Sequence, residues 1–147
     1  MKYSEAQLGR VFILKLEDGE ILHEVIERFA IDKGIRCASL IVVGGAGDGS
    51  RIVVGPRDQY AENIDPVEYI IDNAHEVSGV GTIFPNEEGK PVLHLHASFG
   101  RGNSSKTGCV RLGVKVWLIL EVVLIEILDC KAMKLLDTET GFELLEP

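Results

Sequence analysis

The stretch Val114–Leu128 sets the terms for the rest of the chain. It is apolar, rich in β-branched residues, and carries Trp117. Such a composition favours a strand. Lys115, Glu121 and Glu126 interrupt it, so it is too short and too charged to span a bilayer. Both of its alternating residue sets are largely apolar, which suits a strand buried on both faces, one of them against another subunit. A sheet is therefore the expected scaffold.

Further strands are expected over Leu8–Leu16, Ile35–Val43 and Val77–Phe84, each a short apolar run between turn signals. Glu20–Lys33 places Ile21, Leu22, Val25, Ile26 and Phe29 at helical spacing, with Gly34 as its stop. Glu20 is expected in the first turn, where it would complement the helix dipole. Gly44–Gly47 is followed by no Lys-Ser/Thr and no helix, so it reads as a bend or bulge leading into Arg51–Val54, not as a phosphate loop. The segment from Asp65 reads as irregular. Lys131–Leu136 is expected to finish the sheet, followed by a turn at Thr138–Gly141 and a tail over Phe142–Leu145. No repeat or linker divides residues 1–147, so a single domain is expected.

The chemistry concentrates in Pro91–Gly100, sequence PVLHLHASFG. On a strand His94 and His96 share a face, roughly 7 Å apart along the chain, and can chelate one ion. A polar stretch from Ser98 to Lys106 reads as a loop rich in turn residues. If the chain reverses near Gly102–Asn103, Cys109 lies across from the histidines. Two imidazoles and a thiolate suit zinc and leave a fourth position for water or a ligand. Against this, a His-x-His pair on a strand is often only a solvated polar face, and a lone cysteine a small buried apolar residue. Glu76 and Glu121 are candidate general bases or orienting groups for a zinc-dependent lyase or hydrolase. Strand glutamates are also commonly solvent-facing. His75, if its strand extends back that far, faces away from Glu76.

The net charge of −8 opposes a broad phosphate-binding surface. Met1–Arg10 shows no basic stretch followed by an apolar run, hence no visible secretory signal, and Cys37, Cys109 and Cys130 lack disulfide-framework spacing, so a reducing cytoplasm is expected. Cys37 and Cys130 read as inert core residues.

Residues 8–145 resemble the plants-and-prokaryotes-conserved (PPC) domain family, as a small prokaryotic stand-alone member. The likeness rests on an ordered set: Glu76–Ile83 ending in Gly-Thr-Ile, His94-Leu-His96-Ala97, Gly108-Cys109-Val110, and Glu121–Glu126. Gly19-Glu20 before the helix, and Gly34-Ile35 leading into Ala38–Gly47, extend it toward the start. Cys109 stands where the family usually has histidine. The resemblance implies an α+β fold with a mostly antiparallel sheet and flanking helices, and a homotrimer. It also implies likeness in fold to α-acetolactate decarboxylase, whose metal site is built from histidines. Similar prokaryotic members often carry a provisional DNA-binding label. In plants the domain accompanies a basic AT-hook, and no such arm is visible here, so direct DNA binding is not expected. An oligomeric interaction or ligand-binding module is the expectation. The alternative is a zinc enzyme acting on a small carbonyl or carboxylate substrate.

Overall fold

The computed structural model describes residues 1–61 and 64–147. Its elements run β1 (Gln7–Glu17), α1 (Leu22–Lys33), β2 (Ala38–Ala46), β3 (Arg51–Pro56), β4 (Pro66–Ile70), β5 (His75–Pro85), β6 (Pro91–Arg101), β7 (Ser104–Cys109), β8 (Val116–Leu128), β9 (Met133–Leu136) and β10 (Glu143–Glu146). Eight strands form one sheet in the order β1-β8-β2-β5-β6-β7-β3-β4, and β9 pairs with β10 in a separate ribbon. Every strand pairing among the described residues is antiparallel.

The helix forms because Leu22, Ile26 and Ala30 fall on one stripe, which is buried against the sheet. Gly34 ends it in the left-handed conformation, with its N–H returning to the last turn. The helix begins at Leu22, two residues later than the sequence suggests. Glu20 lies outside it, and its carboxylate accepts a hydrogen bond from the Glu17 N–H at 2.8 Å. Glu24 occupies the first turn instead.

Side chains of one strand face fill the space beneath the helix. Leu95, Phe99, Leu120, Leu124 and Ile26 are among those fully buried. Each such side chain stabilises the fold by about 1.5–3 kcal/mol relative to exposure. The opposite face stays open. Strand β8 therefore alternates: Val122 and Leu124 are buried, whereas Glu121 and Val123 are exposed.

Several expectations need correction. A single helix covers the sheet among the described residues, so the flanking helices are one. The stretch read as a loop from Ser98 to Lys106 is two paired strands joined at Gly102–Asn103. There the positive φ of Gly102 permits the tight reversal. Ladder hydrogen bonds outweigh the weak strand preference of its Ser, Thr and Gly residues. The segment after Asp65 is the edge strand β4, not irregular chain. Met133–Leu136 does not extend the main sheet; it pairs with Glu143–Glu146, making the expected tail a strand. The glycine run does bend: the β2–β8 register shifts between Gly44 and Gly45. Gly44 is needed there, since an added Cβ would lie 2.3 Å from the Ile119 carbonyl oxygen.

Candidate metal centre

Strand β6 carries the site. Pro91, Leu93, Leu95, Ala97 and Phe99 point into the core, leaving His94, His96 and Ser98 on the open face. The helix fixes the start of this strand, where Glu27 accepts a hydrogen bond from the Leu93 N–H at 2.9 Å. The tight reversal at Gly102–Asn103 sets the register so that Cys109 pairs with His96. On its other side Cys109 faces Val53 of β3. Gly108 allows β3 that close, because a Cβ there would lie 2.7 Å from the Val53 carbonyl oxygen.

The result is a three-donor cluster. The ligating atoms of His94, His96 and Cys109 all lie within 4.8 Å of one another. The two Nε2 atoms are 3.2 Å apart, with the rings nearly perpendicular at 82°. Zinc bound at ordinary Zn–N distances and tetrahedral angles requires an N–N edge of about 3.3 Å and an N–S edge of about 3.6 Å. The histidine pair fits as it stands; the thiol needs at most a small side-chain adjustment. Without an ion, the same Nε2 pair makes one imidazole-to-imidazole hydrogen bond, one ring donating and the other accepting.

The surroundings bias His94 toward its neutral form. Partial burial chiefly holds its imidazole below the ordinary histidine value, helped by the nearby Lys134, His96 and Arg111 side chains. Neutral imidazole is the form that binds metal. Arg111 Nε donates to the Cys109 sulfur at 3.2 Å.

The donors sit between two hollows. One is shallow, on the open face, and lined by Ser39, Val80, Gly81, Thr82, His94 and His96. The other is a cleft of about 410 Å³ between the start of β6, the end of β7 and the β9–β10 ribbon, lined by His94, Cys109, Arg111, Lys134, Phe142 and Glu143 among others. Lys134 and Arg111 were not anticipated from the sequence. Basic residues near a cysteine were visible only as isolated charges.

The two glutamates stand apart from this cluster. Glu76 pairs with Gly100, four residues along β5 from Val80, the partner of His96. That is roughly 13 Å along the strand. Glu121 lies on β8, with β2 and β5 between it and β6, which is roughly 14 Å across the sheet. Neither is within hydrogen-bond reach of a group at the donors. His75 begins β5, is buried, and faces away from Glu76, as alternation requires.

Fold and site together define a small antiparallel β protein with one covering helix and a His-His-Cys cluster capable of holding an ion. The chain belongs to the Plants and Prokaryotes Conserved (PCC) domain family, which matches residues 3–128. It is similar over its full length, and over the full length of the other chain, to a metal-containing protein of Archaeoglobus fulgidus, at 26% identity and a TM-score of 0.84. A PPC protein of Pyrococcus horikoshii superposes with a TM-score of 0.85 at 23% identity, covering 100% of this chain and 98% of that one. A Ralstonia eutropha protein with a provisional DNA-binding name reaches 0.69 at 23% identity over 92% and 90% of the two chains. No curated protein matches the chain.

Proposed function

We propose that residues 1–147 act as one cytoplasmic, homotrimeric domain that holds zinc through His94, His96 and Cys109 and offers it to a small carboxylate or carbonyl ligand. The convergence of three soft donors within 4.8 Å carries this reading. The bound ion would supply Lewis acidity, with three protein donors leaving one position of a tetrahedral set to an oxygen ligand. The chain's own residues orient that centre: strand alternation aims the imidazoles, and Arg111 fixes the sulfur. The remote positions of Glu76 and Glu121 favour a binding or sensing role over a zinc lyase or hydrolase that uses them as bases.

The open sheet face supports assembly. A cross-strand row runs Ile13–Val123–Ile41–Val80–His96–Cys109 through successive registers. Ile13, Ile41 and Val80 in it are exposed by 75%, 55% and 64%. An apolar row of this extent suits contact with other copies. Static light scattering should give three times the 16.1 kDa chain mass; a monomer at micromolar concentration would remove the trimer.

Metal is tested by elemental analysis of protein purified without an affinity tag. About one zinc per chain is expected, and it should be lost in the His94→Ala/His96→Ala double variant. Metal retained by that variant would place it elsewhere. Direct DNA binding is the competing outcome. With a net charge of −8, any binding at low salt should vanish at physiological ionic strength. Salt-resistant, submicromolar duplex binding would reverse this reading.

A further inference from the structure

The cleft beside the donors has two cationic side chains on its wall, Lys134 and Arg111. Lys134 is 7% exposed and lines the cleft wall. Among the described residues its ammonium makes no hydrogen bond, and no carboxylate oxygen lies within 4.0 Å of it. Its ammonium is not shut away from solvent, so the stem is buried while the charged end opens on the cleft, where an anion can reach it. Arg111 lines the same cleft, with one guanidinium nitrogen committed to the Cys109 sulfur. Glu143 is the one acidic residue on the wall. Its carboxylate accepts from Asn86 Nδ2 at 3.4 Å. Two cations thus face one carboxylate, in a chain that is acidic overall. Phe142 and Leu144 supply apolar wall, and the volume is in the range of small-metabolite sites.

We propose that this cleft is an anion subsite in which Lys134, with Arg111 beside it, binds the carboxylate of a small ligand lying against His94 and Cys109. That the other end of the ligand meets a metal rests on the zinc reading of the same donors; the anion subsite itself does not. The ammonium contributes charge and up to three donors, and Arg111 adds planar donors suited to a second carboxylate oxygen. Burial is the chief cause that holds the Lys134 ammonium below its ordinary value, opposed by the charges of Glu143 and Glu27.

The test is calorimetric titration of the protein with malonate, once as purified with its metal and once after chelator treatment. Lys134→Met keeps the side-chain volume and removes the charge. It should weaken malonate binding roughly thirtyfold or more, the usual loss on truncating one partner of a buried charge pair. Metal content should not change. Lys134→Arg should restore most of the affinity, and Lys131→Met, outside the cleft, should bind as wild type. Phosphate in place of malonate separates a carboxylate site from a general oxyanion site: equal affinity for both would overturn the carboxylate assignment. Unchanged malonate affinity in Lys134→Met, or no millimolar binding to wild type in either form, would overturn the subsite. Malonate binding that needs Lys134 in a protein found to hold no metal would leave the subsite standing and remove the zinc reading alone.

Discussion

Leu95 sits between the two histidines in sequence and on the opposite side of the strand, fully buried. Replacing it by alanine separates what the two faces of β6 contribute. A buried Leu→Ala change costs about 2–5 kcal/mol, more where the surroundings cannot close the hole. Collapse is limited here because the cross-strand partner is Gly81, whose backbone already lies close: an added Cβ would be 2.9 Å from Leu95 Cβ. Gly81 has no side chain to swing into the space. The expected loss is therefore about 3–4 kcal/mol, a large share of a typical total of about 5–15. Urea unfolding of metal-free protein at one fixed chain concentration measures it, with an unchanged slope. His96→Ala, on the open face, should change the same midpoint by no more than about 0.5 kcal/mol while abolishing metal binding. A Leu95→Ala loss below about 1 kcal/mol, or a His96→Ala loss as large as that of Leu95→Ala, would refute the division of labour between the faces.

Glu126 accepts hydrogen bonds from Arg10 Nε, Nη2 and backbone N–H, and the first of these interactions chiefly holds its carboxyl below the usual carboxylate range. Its stabilising contribution is complete above the unfolded glutamate pKa and is lost as pH falls through the lower folded value. Glu126→Gln should flatten the acid side of a plot of urea midpoint against pH; an unaltered slope would count against the pair. Burial, followed by the neighbouring Cys130 thiol, pushes Cys37 up to about 12. In mass-spectrometric mapping at mildly alkaline pH, Cys37 should resist iodoacetamide until the protein is unfolded. Gly44→Ala should lower stability by about 2 kcal/mol or more, since the backbone there has φ of +151° and no room for a Cβ. Thermal melting would show it.

The sequence disclosed what short-range periodicity encodes. Period-two alternation in PVLHLHASF gave the His pair its common face, and the tight Gly-Asn reversal gave Cys109 its register. The helix stripe was equally plain. Strand order was not legible. Nothing local says that β2 and β5 lie between β8 and β6, so Glu121 looked eligible for a site it does not reach. The expectation of several helices came from resemblance, not from periodicity, and one apolar stripe made one helix. Lys134 was invisible for a similar reason: its neighbours Met133 and Leu135 mark a strand, but which side of the sheet that strand covers is decided by tertiary packing.

The ribbon that carries Lys134 has its own ladder and lies beyond residues 3–128, the part that matches the family. The ribbon's half of the cleft wall therefore belongs to a different ladder from the donor strands. Substitutions or length changes in the Asp137–Gly141 turn would reshape the entrance without shifting the register that joins His96 to Cys109. On the proposed reading, β9 and β10 act as a jaw beside the donors: changes there would alter which ligand enters while His94, His96 and Cys109 stay in place.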